Sequence, residues 1–267
     1  MLRENPASRV GMGGEAAGAR VFREPEASPE LKFRRGGEAR LDASAGRAED
    51  AGAVLLVLVG RDGAEGEALP ITGPLELGTD AEVGIRFPDD RFVSPRHARI
   101  EPTGEGLRVT DLSSRNGVFV RIGTPVPVYP GDTFLLGHQL LRLDGVEATP
   151  DTNALDTDRV RGFGTPLPPA WGKLTLLAIG AVACDTYHLR GKETRLGRET
   201  GEILFPHDAF LSRAHARLRM EVRSGGMNVV VEDMGSANGT YLRVRGHAEL
   251  HRGDMFRIGD QVLRVKA

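Results

Sequence analysis

The chain of 267 residues repeats itself, and this constrains its fold more than any other feature. Leu77-Gly78-Thr79 is matched by Leu196-Gly197-Arg198, and Ile85-Arg86-Phe87-Pro88 by Ile203-Leu204-Phe205-Pro206. Ser94-Pro95-Arg96-His97-Ala98-Arg99 returns as Ser212-Arg213-Ala214-His215-Ala216-Arg217, 118 positions on. Asp111-Leu-Ser-Ser-Arg-Asn116-Gly117 returns as Asp233-Met-Gly-Ser-Ala-Asn238-Gly239, 122 positions on, and Gly131-Asp132 and Gly137 recur at that same offset. The change of offset falls between the His and Asn motifs, where a hairpin turn absorbs length differences. Two copies of one unit are expected, over residues 53–146 and 172–267.

Within each copy, short apolar runs alternate with Gly, Pro, Asp and Asn, and no 3.6-residue period is sustained. Leu107–Thr110, Val118–Val120, Leu140–Leu143, Asn228–Val231 and Val262–Val265 have the length and β-branched content of strands. The expected class is all-β: two sandwiches in tandem. Residues 1–52 are rich in Ala, Gly, Glu and Arg with scattered hydrophobes, and are expected to be a disordered tail. Residues 147–171 contain Pro150, Pro166, Pro168 and Pro169 and read as a semi-extended linker.

The net charge of −2 conceals a polarity. Residues 53–146 carry nine basic and thirteen acidic side chains, whereas 172–267 carry fifteen basic and eleven acidic. The second copy is therefore suited to an anionic partner. Its chemistry narrows the choice. Arg198 offers a rigid fork of donors matched to phosphate, Ser212 a hydroxyl, and Asn238 an amide that bonds a peptide main chain in both directions. Together they make a site for a cluster of anionic oxygens carried on a backbone.

Gly197-Arg198, Ser212-x-x-His215 and Ser236-Ala-Asn238-Gly239-Thr240 resemble the signature of forkhead-associated (FHA) domains, which bind phosphothreonine peptides. The resemblance covers 173–267 and, in weaker form, 53–145. It implies an eleven-stranded β-sandwich with binding loops at one end and termini at the other. It also implies that Arg198 and Ser212 hold the phosphate with Arg213 beside them, that Asn238 holds the peptide backbone, and that Gly197, His215, Gly239 and Thr240 support the loops. The first copy departs from the signature: Thr79 stands where the phosphate arginine belongs, although Ser94, His97 and Asn116 remain. Arg86, Arg91 or Arg115 could compensate from neighbouring loops; otherwise the copy serves as a docking or spacing unit.

No orienting carboxylate recurs with Ser94/His97 or Ser212/His215, so these pairs read as loop braces and no enzymatic activity is expected. His247, Glu249 and His251 lack the arrangement of a zinc helix and read as loop histidines, and neither metal nor cofactor is expected. Cys184, the lone cysteine, is expected in the core and makes no intrachain disulfide. Together with the lack of a secretory or membrane-spanning apolar run, this places the chain in the cytoplasm. The function expected is that of an adaptor in Ser/Thr kinase signalling, with a kinase and phosphothreonine proteins as partners. The alternatives are a phospho-independent scaffold, or a nucleic-acid binder for which no aromatic stacking platform is visible. The linker threonines Thr152 and Thr157 are candidate ligands in cis for the second copy.

Overall fold

The computed structural model describes residues 54–60, 63–146, 160, 163–165, 167–223 and 226–266. The expected tail and the linker threonines Thr152 and Thr157 lie outside the described residues. Among the described residues all regular structure is β, ten strands from each repeat. The first repeat gives β1 (Val54–Val59), β2 (Glu65–Ile71), β3 (Leu75–Gly78), β4 (Ile85–Arg86) and β5 (Ala98–Pro102). It continues with β6 (Gly106–Asp111), β7 (Val118–Arg121), β8 (Val126–Val128), β9 (Thr133–Leu136) and β10 (Gln139–Asp144). The second gives β11 (Gly172–Ala178), β12 (Val182–Leu189), β13 (Glu193–Gly197), β14 (Ile203–Leu204) and β15 (Ala216–Arg223). It ends with β16 (Gly226–Asp233), β17 (Thr240–Arg243), β18 (His247–His251), β19 (Met255–Ile258) and β20 (Gln261–Lys266).

The strands do not close within their own repeat. The last three strands of each copy pair with the other copy. β8 adds to β16, β9 to β17, and β10 to β11, while β18 adds to β6, β19 to β7, and β20 to β1. The crossings occur at two short segments, Ile122–Pro125 and Val244–Gly246, which carry the chain onward instead of folding it back. Short hinges of this kind favour exchange of identical elements. The opened strands β7 and β17 then pair antiparallel with each other, Val120 opposite Leu242. Ile122 N donates to Thr240 O and Val244 N to Val118 O at the two ends of this pairing, an approximate two-fold relation.

One sheet of ten strands results, in the order β12-β11-β10-β9-β17-β7-β19-β20-β1-β2. Two five-stranded sheets accompany it, β14-β13-β15-β16-β8 and β18-β6-β5-β3-β4. The expected all-β class holds, but the contiguous units 53–146 and 172–267 are not self-contained. Each sandwich takes strands from both. The apolar side chains bury in one continuous cluster, with Phe134, Leu136 and Leu141 of the first repeat and Phe256, Ile258 and Leu263 of the second all fully enclosed.

Polar contacts repeat the exchange. The carboxylate of Asp208 accepts His138 N and Gln139 Nε2, each at 2.7 Å, and that of Asp90 accepts Asp260 N at 2.9 Å and Gln261 Nε2 at 2.7 Å. Arg245 meets the buried Asp132 at 2.7 Å, and Arg108 meets Glu249 at 2.6 Å. Two local expectations are corrected. Cys184 is exposed, because β12 is the outermost strand of the long sheet and most of its side chains face solvent. His247 and His251 belong to a strand, β18, in which Ala248 and Leu250 alternate inward against β6.

Candidate functional site

Arg198 stands immediately after β13, where Gly197 brings the backbone against the loop carrying Ser212. A Cβ at Gly197 would collide with the carbonyl oxygen of Arg213. The approach is closed by Arg198 N donating to Ser212 O at 3.0 Å and Glu199 N to Arg213 O at 3.1 Å. Ser212 Oγ accepts Ala237 N at 3.1 Å, which leaves the hydroxyl hydrogen to donate outward. Asn238 Nδ2 donates to Phe210 O at 2.8 Å, fixing the amide while its Oδ1 remains an acceptor for a peptide N–H. The structure thus brings Arg198, Ser212, Arg213 and Asn238 into one loop cluster.

Glu199 holds two of these groups together. Its carboxylate accepts Arg198 Nη2 at 3.0 Å through one oxygen and Arg213 Nε at 2.9 Å through the other. Two guanidiniums therefore converge on one planar oxyanion, with all three side chains at least a third exposed. Sequence reasoning passed over Glu199, because an acidic residue beside an arginine signals nothing by itself.

The scaffold beneath is built from His215. Its Nδ1 accepts Ser212 N at 3.1 Å, and its Nε2 donates to Gly239 O at 3.2 Å. These partners require the neutral ring with hydrogen on Nε2. The side chain is fully buried, and burial pushes its pKa below the ordinary histidine value. Asp233 organises the adjoining turn, accepting Ser236 N and Ser236 Oγ, and Thr240 Oγ1 at 2.7 Å. Ser236 Oγ in turn accepts Gly239 N at 2.9 Å.

The first copy repeats the brace. His97 Nδ1 accepts Ser94 N at 3.0 Å and Nε2 donates to Gly117 O at 3.0 Å. Asn116 Nδ2 donates to Phe92 O at 2.7 Å, and Arg115 N to Ser94 Oγ at 3.1 Å. Thr79 occupies the turn that Arg198 occupies in the second copy, its N donating to Ser94 O. Among the described residues Arg91 makes no contact that brings it to this turn, whereas Arg86 Nε donates to Thr79 O at 3.1 Å.

Both histidines must stay neutral, which sets a pH dependence. A group whose folded pKa is lowered, as with a neutral buried histidine, loses stability when pH falls below its unfolded value. Urea unfolding is expected to show lower stability at pH 5.5 than at pH 7.5, because the loss sets in below the unfolded histidine value of about 6.5. Glu202, held down to about 2 by Arg195, contributes stability above pH 4.5 and so does not act in this window. Equal stability at the two pH values would contradict the brace assignment.

The exchange adds residues to the site. Gly239 has φ +82°, and a Cβ there would collide with Arg121 Nε of β7. Gly117, with φ +88°, meets Arg243 of β17 in the same way. Each Asn-Gly turn is thus backed by an arginine of the other repeat. A cleft of about 170 Å³ opens beside Asn238, lined among others by Phe210, Ala237, Gly137, His138 and Arg121. His138 of the first repeat packs edge-on against Phe210, ring centroids 4.4 Å apart. Arg121 and Arg243 recur at the repeat offset, which was the available signal, but no contiguous unit would have placed either at a binding loop.

The FHA domain matches residues 58–137 and 194–259, together more than half of the chain. No curated protein matches. One similar solved structure comes from a structural and functional analysis of phosphothreonine-dependent FHA domain interactions. It shows 30% identity and a TM-score of 0.22, over 33% of this chain and 91% of that one. A second is the FhaA FHA domain complexed with the intracellular domain of Rv3910. It shows 30% identity and a TM-score of 0.23, over 33% of this chain and 96% of that one. The chain belongs to the FHA-domain family and carries two copies of the domain.

Proposed function

We propose that this protein is an adaptor without enzymatic turnover that binds phosphothreonine peptides, acting in the cytoplasm downstream of a Ser/Thr kinase. The second-copy site is its main contact. The observation that carries the reading is the clamp of Arg198 and Arg213 on the Glu199 carboxylate. Oriented guanidiniums recognise a dianionic phosphate better than a single carboxylate. Ser212 supplies a further donor, Asn238 reads the peptide main chain, and the cleft beside it receives neighbouring peptide residues. That cleft is formed by both repeats, so the intact chain is the binding unit.

Within this reading Glu199 is a competitor that an arriving phosphate displaces. Because its two ion pairs are exposed and together worth only about 0.4–1 kcal/mol, Glu199→Gln should tighten phosphopeptide binding by about 2- to 5-fold. Phosphothreonine should exceed phosphoserine by about fourfold, the value of one buried methyl. Anisotropy titrations of the full chain with fluorescent peptides test both. Weaker binding by Glu199→Gln, or superimposed phosphothreonine and phosphoserine curves, would count against the site.

A phosphorylated Thr152 or Thr157 fits the same reading as a ligand in cis. Their segment leaves β10 and returns to β11 where Asp144 lies opposite Lys173, the sheet end away from Asn238. From Asp144, Thr152 reaches at most about 29 Å and Thr157 about 47 Å. Both exceed the roughly 20 Å height of a six-residue strand.

A further inference from the structure

We propose that the first copy is a second phosphate-recognising site, in which Arg86 supplies from β4 the guanidinium that Thr79 does not. The inference rests on the chemistry of the second-copy reading but on separate residues. Three observations carry it.

The first is position. β4 runs parallel to β3 with Arg86 opposite Gly78, and its side chain folds over the turn so that Nε donates to Thr79 O at 3.1 Å. Thr79 N donates in turn to Ser94 O, so the guanidinium is linked through one residue to the serine loop. In the second copy the β14 residue at this place is Leu204, and the arginine comes from the turn itself. The first copy thus brings to this turn, from a strand, a guanidinium that the second copy supplies from the turn itself.

The second is availability. Arg86 is exposed, and among the described residues its two terminal nitrogens meet no carboxylate. Asp80 holds the place of Glu199, with its N donating to Pro95 O, yet its carboxylate accepts Glu82 N and makes no ion pair with Arg86. The clamp that occupies the second site has no equivalent here.

The third is completeness. Ser94 Oγ accepts Arg115 N and keeps its hydrogen to donate, and Asn116 is anchored on Phe92 O with its own oxygen open, as in the second copy. A phosphate beside Ser94 would meet the hydroxyl hydrogen and the free terminal nitrogens of the Arg86 fork.

The ligand is a phosphorylated peptide side chain, and the probe is N-acetyl-phosphothreonine N-methylamide titrated into the full chain. With the second site disabled by Arg198→Ala, binding should persist, and the Arg86 Nε–Hε resonance should shift with the same isotherm. Adding Arg86→Ala should weaken this remaining binding by about 30-fold. Adding Thr79→Arg to that protein should restore it, which separates loss of a guanidinium from local unfolding. No binding by Arg198→Ala alone, or an unmoved Arg86 resonance, would overturn the proposal. Binding unaffected by Arg198→Ala but abolished by Arg86→Ala would instead remove the second-copy reading and leave this one standing.

Discussion

A chain cut once between residues 147 and 159, at an inserted protease site, is expected to remain a single particle. The first half provides β8, β9 and β10 to the second sandwich, and the second half provides β18, β19 and β20 to the first. Separation would expose Phe134, Leu136, Leu141 and Leu143 on one side and Phe256, Ile258, Leu263 and Val265 on the other, all now enclosed. At about 1.5–3 kcal/mol for each such side chain, parting the halves costs more than about 10 kcal/mol. The halves should co-elute in size-exclusion chromatography. They should dissociate in the same urea transition that erases the β-sheet circular dichroism signal. Halves that separate while each retains that signal would show that the copies close on themselves.

The second large effect concerns Arg198. Arg198→Ala in the full chain should weaken binding of a phosphothreonine peptide at the second site by about 30-fold or more, from the ~2–5 kcal/mol carried by a charge-pair partner. The guanidinium is about a third exposed, which favours the lower end of that range. The fold should be unaffected, since the side chain lies in a loop and its ion pair with Glu199 is exposed. Glu199 then loses one of its two arginines, and Arg213 alone cannot close around a phosphate. An unchanged affinity at that site would remove Arg198 from it.

The exchange also fixes how two sites could work together. β7 and β17 run antiparallel, and the Asn116-Gly117 and Asn238-Gly239 turns precede them. The two turns therefore sit at opposite ends of this central strand pair. A doubly phosphorylated peptide would engage both only where its spacing matches the separation of the turns. Avidity of the linked kind needs a span that matches the sites.

Much of the fold was legible locally. Leu107–Thr110, Val118–Val120, Leu140–Leu143, Asn228–Val231 and Val262–Val265 all lie in strands, because β-branched runs between turn residues have few other uses. Partner choice was not legible. β9 and β19 pair with corresponding strands of the two copies, β17 and β7, so the pattern that makes each a strand cannot say whether it joins its own repeat or the other. That choice rests on the course of Ile122–Pro125 and Val244–Gly246, a few residues without hydrophobic pattern. The same limit hid Arg121 and His138, whose place beside Asn238 exists only through the exchange. Cys184 misled for a related reason: an apolar stretch implies burial only if its strand is covered, and β12 is an edge. Within one repeat, by contrast, Ser212, His215 and Asn238 could be grouped from spacing, since the loops joining them are short.

The most direct test is a calorimetric titration of the full chain with two peptides identical except for the phosphate on one threonine. The account predicts saturable binding of the phosphorylated peptide, at least about 30-fold tighter than its unmodified twin, because the unmodified peptide offers no anion to replace the Glu199 carboxylate between the paired guanidiniums. Equal affinity for the two peptides would contradict it.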